Sequence, residues 1–144
     1  MDETVKKLHL EEIKSVISIG EPMLLLDYAE VCPGSWAKGY KMIYESNEVF
    51  RGHYPNYPML PGTYQIEALA QLFSLIYLID TEKKSISRLT GFDKIRFYKE
   101  VKPDCKLELE CELEYFRHGF AKGTGRAFVD GQYVSKIHIT NMIT

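Results

Sequence analysis

Residues 66–79 read IEALAQLFSLIYLI, and only Glu67, Gln71 and Ser74 interrupt an otherwise apolar run. Those three stand at i, i+4 and i+7, so on a helix they form one narrow polar stripe. A helix that is apolar on every other side belongs inside a protein, and a carboxylate there is costly without a partner or a task. Upstream, residues 52–62 read GHYPNYPMLPG and place His53 in a loop braced by Pro55, Pro58 and Pro61. An acid/base histidine delivered beside a carboxylate in a buried helix points to general acid–base chemistry. The neutral readings are a hydrogen-bonded structural Glu67 and a loop histidine bonded to nearby backbone.

At 144 residues the chain is long enough for one hydrophobic core, and one domain over 1–144 is expected. Its net charge of −2 and pI near 6.1 argue against a nucleic-acid binder, which is usually basic. The opening MDETVKKLHLEEIKSV lacks the apolar centre of a signal peptide. The best candidate for a membrane span is broken by Glu67 and Gln71, short of the roughly 18 apolar residues a span needs. Cys32, Cys105 and Cys111 fit neither a disulfide framework nor a zinc site, which suits reduced thiols in a cytoplasmic protein. His9, His53, His118 and His138 show no metal-ligand spacing, so no metal is expected.

Residues 8–17 fit a short amphipathic helix with Leu10, Ile13 and Ile17 on one side. MLLLDYAEV (23–31) and WAKGYKMIY (36–44) read as strands joined at Pro33-Gly34-Ser35. Residues 45–60 make a loop, and Pro61 suits the first turn of the long helix. A polar break follows at residues 81–85, then a strand over 87–101. In KLELECELEY (106–115), Leu107, Leu109, Cys111, Leu113 and Tyr115 alternate strictly with charged residues, so they should face inward. Asp130-Gly131 between GRAFV and QYVSKIHI signals a hairpin. The sum is α+β: an antiparallel sheet of about six strands wrapped around one long helix.

The stretch GHYPNYPMLPGTYQIEALAQ resembles the signature of the FabZ-type 3-hydroxyacyl-[acyl-carrier-protein] dehydratases, which have a hot-dog fold. Their pattern is close to G-H-F-P-x-x-P-x-x-P-G, followed by E-A-x-A-Q starting fourteen residues after the histidine. His53, Pro55, Pro58, Pro61, Gly62, Glu67, Ala68, Ala70 and Gln71 all fall in register. PMLLLD (22–27), SNEVFRGHYP, GFDKIRFYKEVKP and VDGQYVSKIHI are similar to further family segments. There are departures. Ile17-Ser18-Ile19-Gly20 replaces a Leu-Pro-His-Arg-like run, Pro103-Asp104 replaces P-G-D, and Thr63 and Tyr64 replace the customary apolar pair after the glycine.

The resemblance implies dehydration of (3R)-3-hydroxyacyl-[acyl-carrier-protein] to the trans-2-enoyl product in acyl-chain biosynthesis. His53 would be the base, Glu67 the acid serving the hydroxyl, and the Gly62 N–H the donor that polarises the thioester carbonyl. That glycine placement agrees with a helix N-terminus, where free N–H groups favour negative charge and no Cβ obstructs approach. Gln71 can hold the Glu67 carboxyl across one turn. Phe73 and Tyr77 could line an acyl tunnel, although packing is the simpler role, as it is for Ser74. No cofactor is implied beyond the phosphopantetheine that carries the substrate. The acyl carrier protein is the implied partner, and Lys94, Arg96, Lys99 and Lys102 form either its dock or a solvated strand face. The family builds its site across a dimer, which implies a homodimer or a trimer of dimers. The competing readings are a non-catalytic acyl-binding hot-dog subunit and a hot-dog thioesterase. The dehydratase/isomerase relative carries Asp at the acid position, and Glu67 argues against it.

Overall fold

The apolar run forms a helix of seventeen residues, Gly62–Leu78, and most of its residues are buried in the computed structural model, which describes residues 4–81 and 85–143. In chain order the elements are β1 (Lys6–Leu8), α1 (Leu10–Ile17), β2 (Tyr28–Cys32), β3 (Trp36–Ile43), α2 (Val49–Gly52) and α3 (Gly62–Leu78), then β4 (Ser87–Phe97), β5 (Cys105–Arg117), β6 (Phe120–Val129) and β7 (Gln132–Ile143). All seven strands join one antiparallel sheet in the order β1-β2-β3-β5-β6-β7-β4. Seven strands exceed the six read from the sequence because Lys6–Leu8 is too short to show a period. The polar break foreseen at residues 81–85 is described only at its ends, since residues 82–84 lie outside the described residues.

The sheet wraps α3 because each contributes a continuous apolar surface. Leu69, Leu72, Phe73 and Leu75 are fully buried against Leu107, Leu109, Ala127 and Ile139, all in one core cluster. Burial of each such large side chain contributes about 1.5–3 kcal/mol. The helix lies close on the strands where glycine removes the side chain. A Cβ on Gly123 would stand 2.5 Å from the Phe73 ring and 2.1 Å from the Glu112 carbonyl oxygen. One on Gly39 would stand 2.4 Å from the Tyr28 carbonyl oxygen and 3.2 Å from Leu72.

The alternation foreseen in β5 holds through Leu107, Leu109 and Cys111 and ends beyond Leu113. A register shift between Leu113 and Tyr115 puts an extra residue into β5, and such a bulge reverses which side chains face inward. Tyr115 is therefore exposed, and Phe116 stacks on Tyr77 with ring centroids 5.4 Å apart. Cys111 is wholly buried, its thiol 3.4 Å from the Leu69 carbonyl, and burial pushes its pKa far up. Asp130-Gly131 forms the expected two-residue hairpin loop, with both φ angles positive (51° and 76°) as a type I′ turn requires. His118-Gly119 makes a second such turn between β5 and β6 (51° and 80°). Several boundaries differ from the sequence reading: the loop expected over 45–60 contains the short helix α2, and the strand expected over 87–101 ends at Phe97. The segment 23–27 is not strand, since β2 begins at Tyr28, and Pro61 is the N-cap of α3. Its extended ψ of 138° makes Gly62 the first helical residue.

Candidate active site

The proline-rich loop is held rigidly over the start of α3. The Leu60 N–H donates to the Val101 carbonyl at 2.7 Å, the Tyr57 hydroxyl to Glu100 Oε2 at 2.7 Å, and Lys102 lies 4.8 Å from the Tyr57 ring centroid. Pro55, Pro58 and Pro61 each fix a φ angle, so little freedom remains between these ties. His53 caps the C-terminal end of the short helix α2, with its N–H on the Val49 carbonyl at 3.2 Å. Its Nδ1 lies 2.7 Å from the Met59 carbonyl oxygen. A carbonyl only accepts, so Nδ1 carries a proton, and in the neutral ring Nε2 keeps the lone pair. That is the tautomer a general base needs.

His53 and Gly62 line one cavity of about 580 Å³, together with Pro61, Gln65, Ile66 and Phe97. As the first residue of α3, Gly62 contributes an N–H without an intrahelical acceptor, at the positive end of the helix dipole. The Phe97 ring packs directly over it: a Cβ on Gly62 would come within 2.8 Å of the ring. Only glycine allows that approach.

Glu67 faces elsewhere. It borders a cavity of about 210 Å³ with Met23, Leu25, Thr63 and Tyr64, and a smaller one of about 50 Å³ that reaches Ser87 and Asn141. Gln71 Nε2 donates to Glu67 Oε1 at 3.0 Å, the i,i+4 contact expected from the sequence. The same amide donates to the Met23 carbonyl at 2.8 Å and accepts the Leu25 N–H at 2.8 Å. Gln71 thus ties residues 23–25 to the helix as well as orienting the acid. Ser74 turns its hydroxyl back to the Gln71 carbonyl at 2.7 Å, and Phe73 is core. The Tyr77 hydroxyl shares a hydrogen bond with Ser87 Oγ and accepts from Asn141 Nδ2 at 2.8 Å. Burial lifts the Tyr77 pKa to about 12.

Within one chain, then, His53 and Gly62 share a cavity, while Glu67 and Gln71 border others. Thr63 lines both the His53 cavity and the larger Glu67 cavity. Lys94, Arg96, Lys99 and Lys102 are all exposed along β4 and the segment after it, and none forms an ion pair among the described residues. Lys94 has a φ of 51° inside a bulge between Asp93 and Arg96, and Lys99 bonds Gln132. The sequence reading overlooked Gln65 and Phe97 as parts of the site. A glutamine in the first turns of a buried helix was the available signal for Gln65. The contact of Phe97 with Gly62 joins residues far apart in sequence, and no local pattern announces it.

An antiparallel sheet curled round a buried helix, with a histidine loop leading into that helix, defines the hot-dog class of acyl-thioester proteins. Residues 19–138 match the family model of the FabA-like domain. The chain is 40% identical over 135 residues to a protein of Bacillus subtilis (strain 168) named 3-hydroxyacyl-[acyl-carrier-protein] dehydratase FabZ, covering 92% of this chain and 96% of that one. A protein of the same name from Roseiflexus castenholzii is 40% identical over 88% of this chain and 90% of its own length. This chain belongs to the FabA-like family, in its FabZ-type branch. Among solved structures, the dehydratase heterocomplex ApeI:P from Xenorhabdus doucetiae superposes with a TM-score of 0.76 at 17% identity over 92% of this chain and 90% of that one, which is a likeness of fold.

Proposed function

We propose that this protein dehydrates 3-hydroxyacyl-[acyl-carrier-protein] to the trans-2-enoyl thioester, with His53, Gly62 and Glu67 as its working groups. His53 Nε2 takes the C2 proton, and the Gly62 N–H meets the charge that develops on the thioester oxygen. Glu67 gives its proton to the 3-hydroxyl. The C2–H and C3–O bonds break, C2=C3 forms, and water leaves. The observation that carries this reading is His53 Nδ1 on the Met59 carbonyl, which leaves Nε2 as a base in the cavity where α3 begins. The chemistry needs no metal or cofactor, because the substrate arrives on the phosphopantetheine of its carrier.

The active unit is a homodimer in which Glu67 of a second copy faces His53. Two features support this. His53 and Glu67 border different cavities of one chain, and β4 is an edge strand of eleven residues whose outer side has no partner in the sheet among the described residues. Long free edges invite pairing with another strand, and β4 also exposes Leu89, Phe92 and Phe97. The basic residues Lys94, Arg96, Lys99 and Lys102 suit an acidic carrier protein. No helix among the described residues is long and apolar enough to cross a membrane, and the proposed setting is the cytoplasm.

The test is an absorbance assay for enoyl thioester with 3-hydroxyacyl substrates of graded length. Formation of the enoyl product supports the dehydratase reading. Release of free thiol without it would indicate a thioesterase, and binding without turnover a non-catalytic acyl-binding subunit.

A further inference from the structure

The smaller cavity that Glu67 borders ends on a buried polar cluster. Its α3 lining is Glu67, Ala70, Gln71 and Ser74, so it runs down the helix for about two turns, with Tyr77 just beyond. There the Tyr77 hydroxyl shares a hydrogen bond with Ser87 Oγ of β4 and accepts from Asn141 Nδ2 of β7 at 2.8 Å. Ser87 and Asn141 also line the cavity, which places the hydroxyl at its far end. The Tyr77 ring is held from the sides as well. It stacks on Phe116 with centroids 5.4 Å apart and meets the Phe73 ring edge-on at 5.6 Å. Asn141 is only 2% exposed, and its Oδ1 has no partner among the described residues, so the cluster has no spare bond to offer if Tyr77 moves. Pressing hydrocarbon against such groups is costly, because they lose partners and gain none.

Of the two cavities that Glu67 borders, this is the one with β4 in its wall, through Ser87 and Leu89. β4 is the edge at which the second copy joins in the proposed dimer. A substrate shared by His53 of one copy and Glu67 of the other lies along that join. With the 3-hydroxyl at Glu67, the tail beyond C3 continues between the apolar walls of Ile17, Ile19, Ala70 and Leu89 toward Tyr77. We propose that Tyr77 sets the upper limit of acyl-chain length, its ring being the stop and Ser87 and Asn141 the positioning residues that hold it. The substrates are 3-hydroxyacyl thioesters whose saturated tails end above this cluster. Longer tails are rejected because they must displace the ring and strip its partners of their bonds. This rests on the dehydratase reading and narrows its substrate class.

The experiment measures kcat/KM by enoyl absorbance for saturated (3R)-3-hydroxyacyl thioesters of graded length on one carrier, with the full-length protein and its Tyr77→Ala and Tyr77→Phe variants. Wild type should lose about tenfold or more at the first length that reaches the cluster, the scale on which a pocket discriminates a single methylene. Tyr77→Ala removes the stop and should recover that loss, moving the fall-off to longer tails. Tyr77→Phe keeps the ring and its stacking but gives up both hydrogen bonds, so the fall-off should move the same way by less. Its near-unchanged volume makes it the deciding variant if Tyr77→Ala does not fold. An even wild-type profile overturns the proposal, and so does a fall-off that stays at the same length in the folded variants. A shift in Tyr77→Ala with none in Tyr77→Phe overturns the role given to Ser87 and Asn141. Turnover at no length removes the dehydratase reading and this inference with it, whereas turnover without a length limit removes the inference alone.

Discussion

Two glutamines on α3, Gln65 and Gln71, are equally buried at 2% exposure, and their surroundings differ completely. Gln71 uses its amide fully, on the Met23 carbonyl, the Leu25 N–H and the Glu67 carboxyl. Gln65 has an oxygen with no partner and borders the cavity of His53. Burial alone does not tell a fully paired polar group from an unpaired one; the hydrogen-bond partners do. The helix has a finished face at Gln71 and an unfinished one at Gln65, and each face holds one half of the proposed chemistry.

The sharpest way to break this division is to remove each half. His53→Ala and Glu67→Gln should each lower kcat/KM by about 10²–10⁴-fold, the usual worth of a general acid–base group, with thermal unfolding unchanged. Mixing the two inactive chains should then restore activity, since a heterodimer regains one complete site. No recovery after verified subunit exchange would place both groups in the service of a single chain.

Next in size is a substitution that disturbs both faces together. Phe73→Ala empties the fully buried space beside Gly123 and should cost about 3–5 kcal/mol in urea unfolding. A loss below about 1 kcal/mol would mean that the sheet collapses freely onto α3, against the close packing described above.

The two glutamines themselves provide a more selective comparison. Gln71→Leu leaves the Leu25 N–H and the Met23 carbonyl unpaired and should destabilise the fold by about 1–3 kcal/mol. Faster hydrogen exchange at the Leu25 amide would locate the damage. Gln65→Leu removes a group that has no partner to lose, so its melting temperature should equal or exceed the wild-type value. Equal losses from both substitutions would erase the distinction between the faces.

The smallest effect is expected at the surface. Reversing Lys94, Arg96 and Lys99 to Glu should raise KM for carrier-linked substrate by about tenfold and leave a short thioester analogue nearly untouched, because rim charges mainly steer encounter. Added salt should imitate the change, given a Debye length of about 8 Å at physiological ionic strength. Equal losses on both substrates would tie these residues to the fold or the chemistry.

Much of this molecule was legible in the chain. The run at 66–79 announced a buried helix, the alternation at 106–113 an inward strand face, and Asp130-Gly131 a hairpin, because each is a local pattern with its own period or turn chemistry. The fourteen-residue step from His53 to Glu67 matches the family pattern, and the proposed roles of both residues rest on that resemblance. Where the reading slipped, a non-local event intervened. The bulge after Leu113 ended the alternation, leaving Tyr115 exposed and Phe116 stacked on Tyr77 while itself half open to solvent, and β1 gained strand character only by pairing with β2.

What the sequence determined by itself is therefore which surfaces of each element are apolar and which residue types stand at chemically useful spacings, since both follow from backbone geometry over a few residues. The tertiary structure decided who meets whom. It set the Met59 carbonyl on His53, laid Phe97 over Gly62, tied residues 23–25 to Gln71, and left Gln65 buried without a partner. It also turned Glu67 away from the cavity of its own chain's His53. Periodicity records that a face must be covered, and it carries no record of which distant element covers it. That choice arises only when the whole sheet closes around the helix.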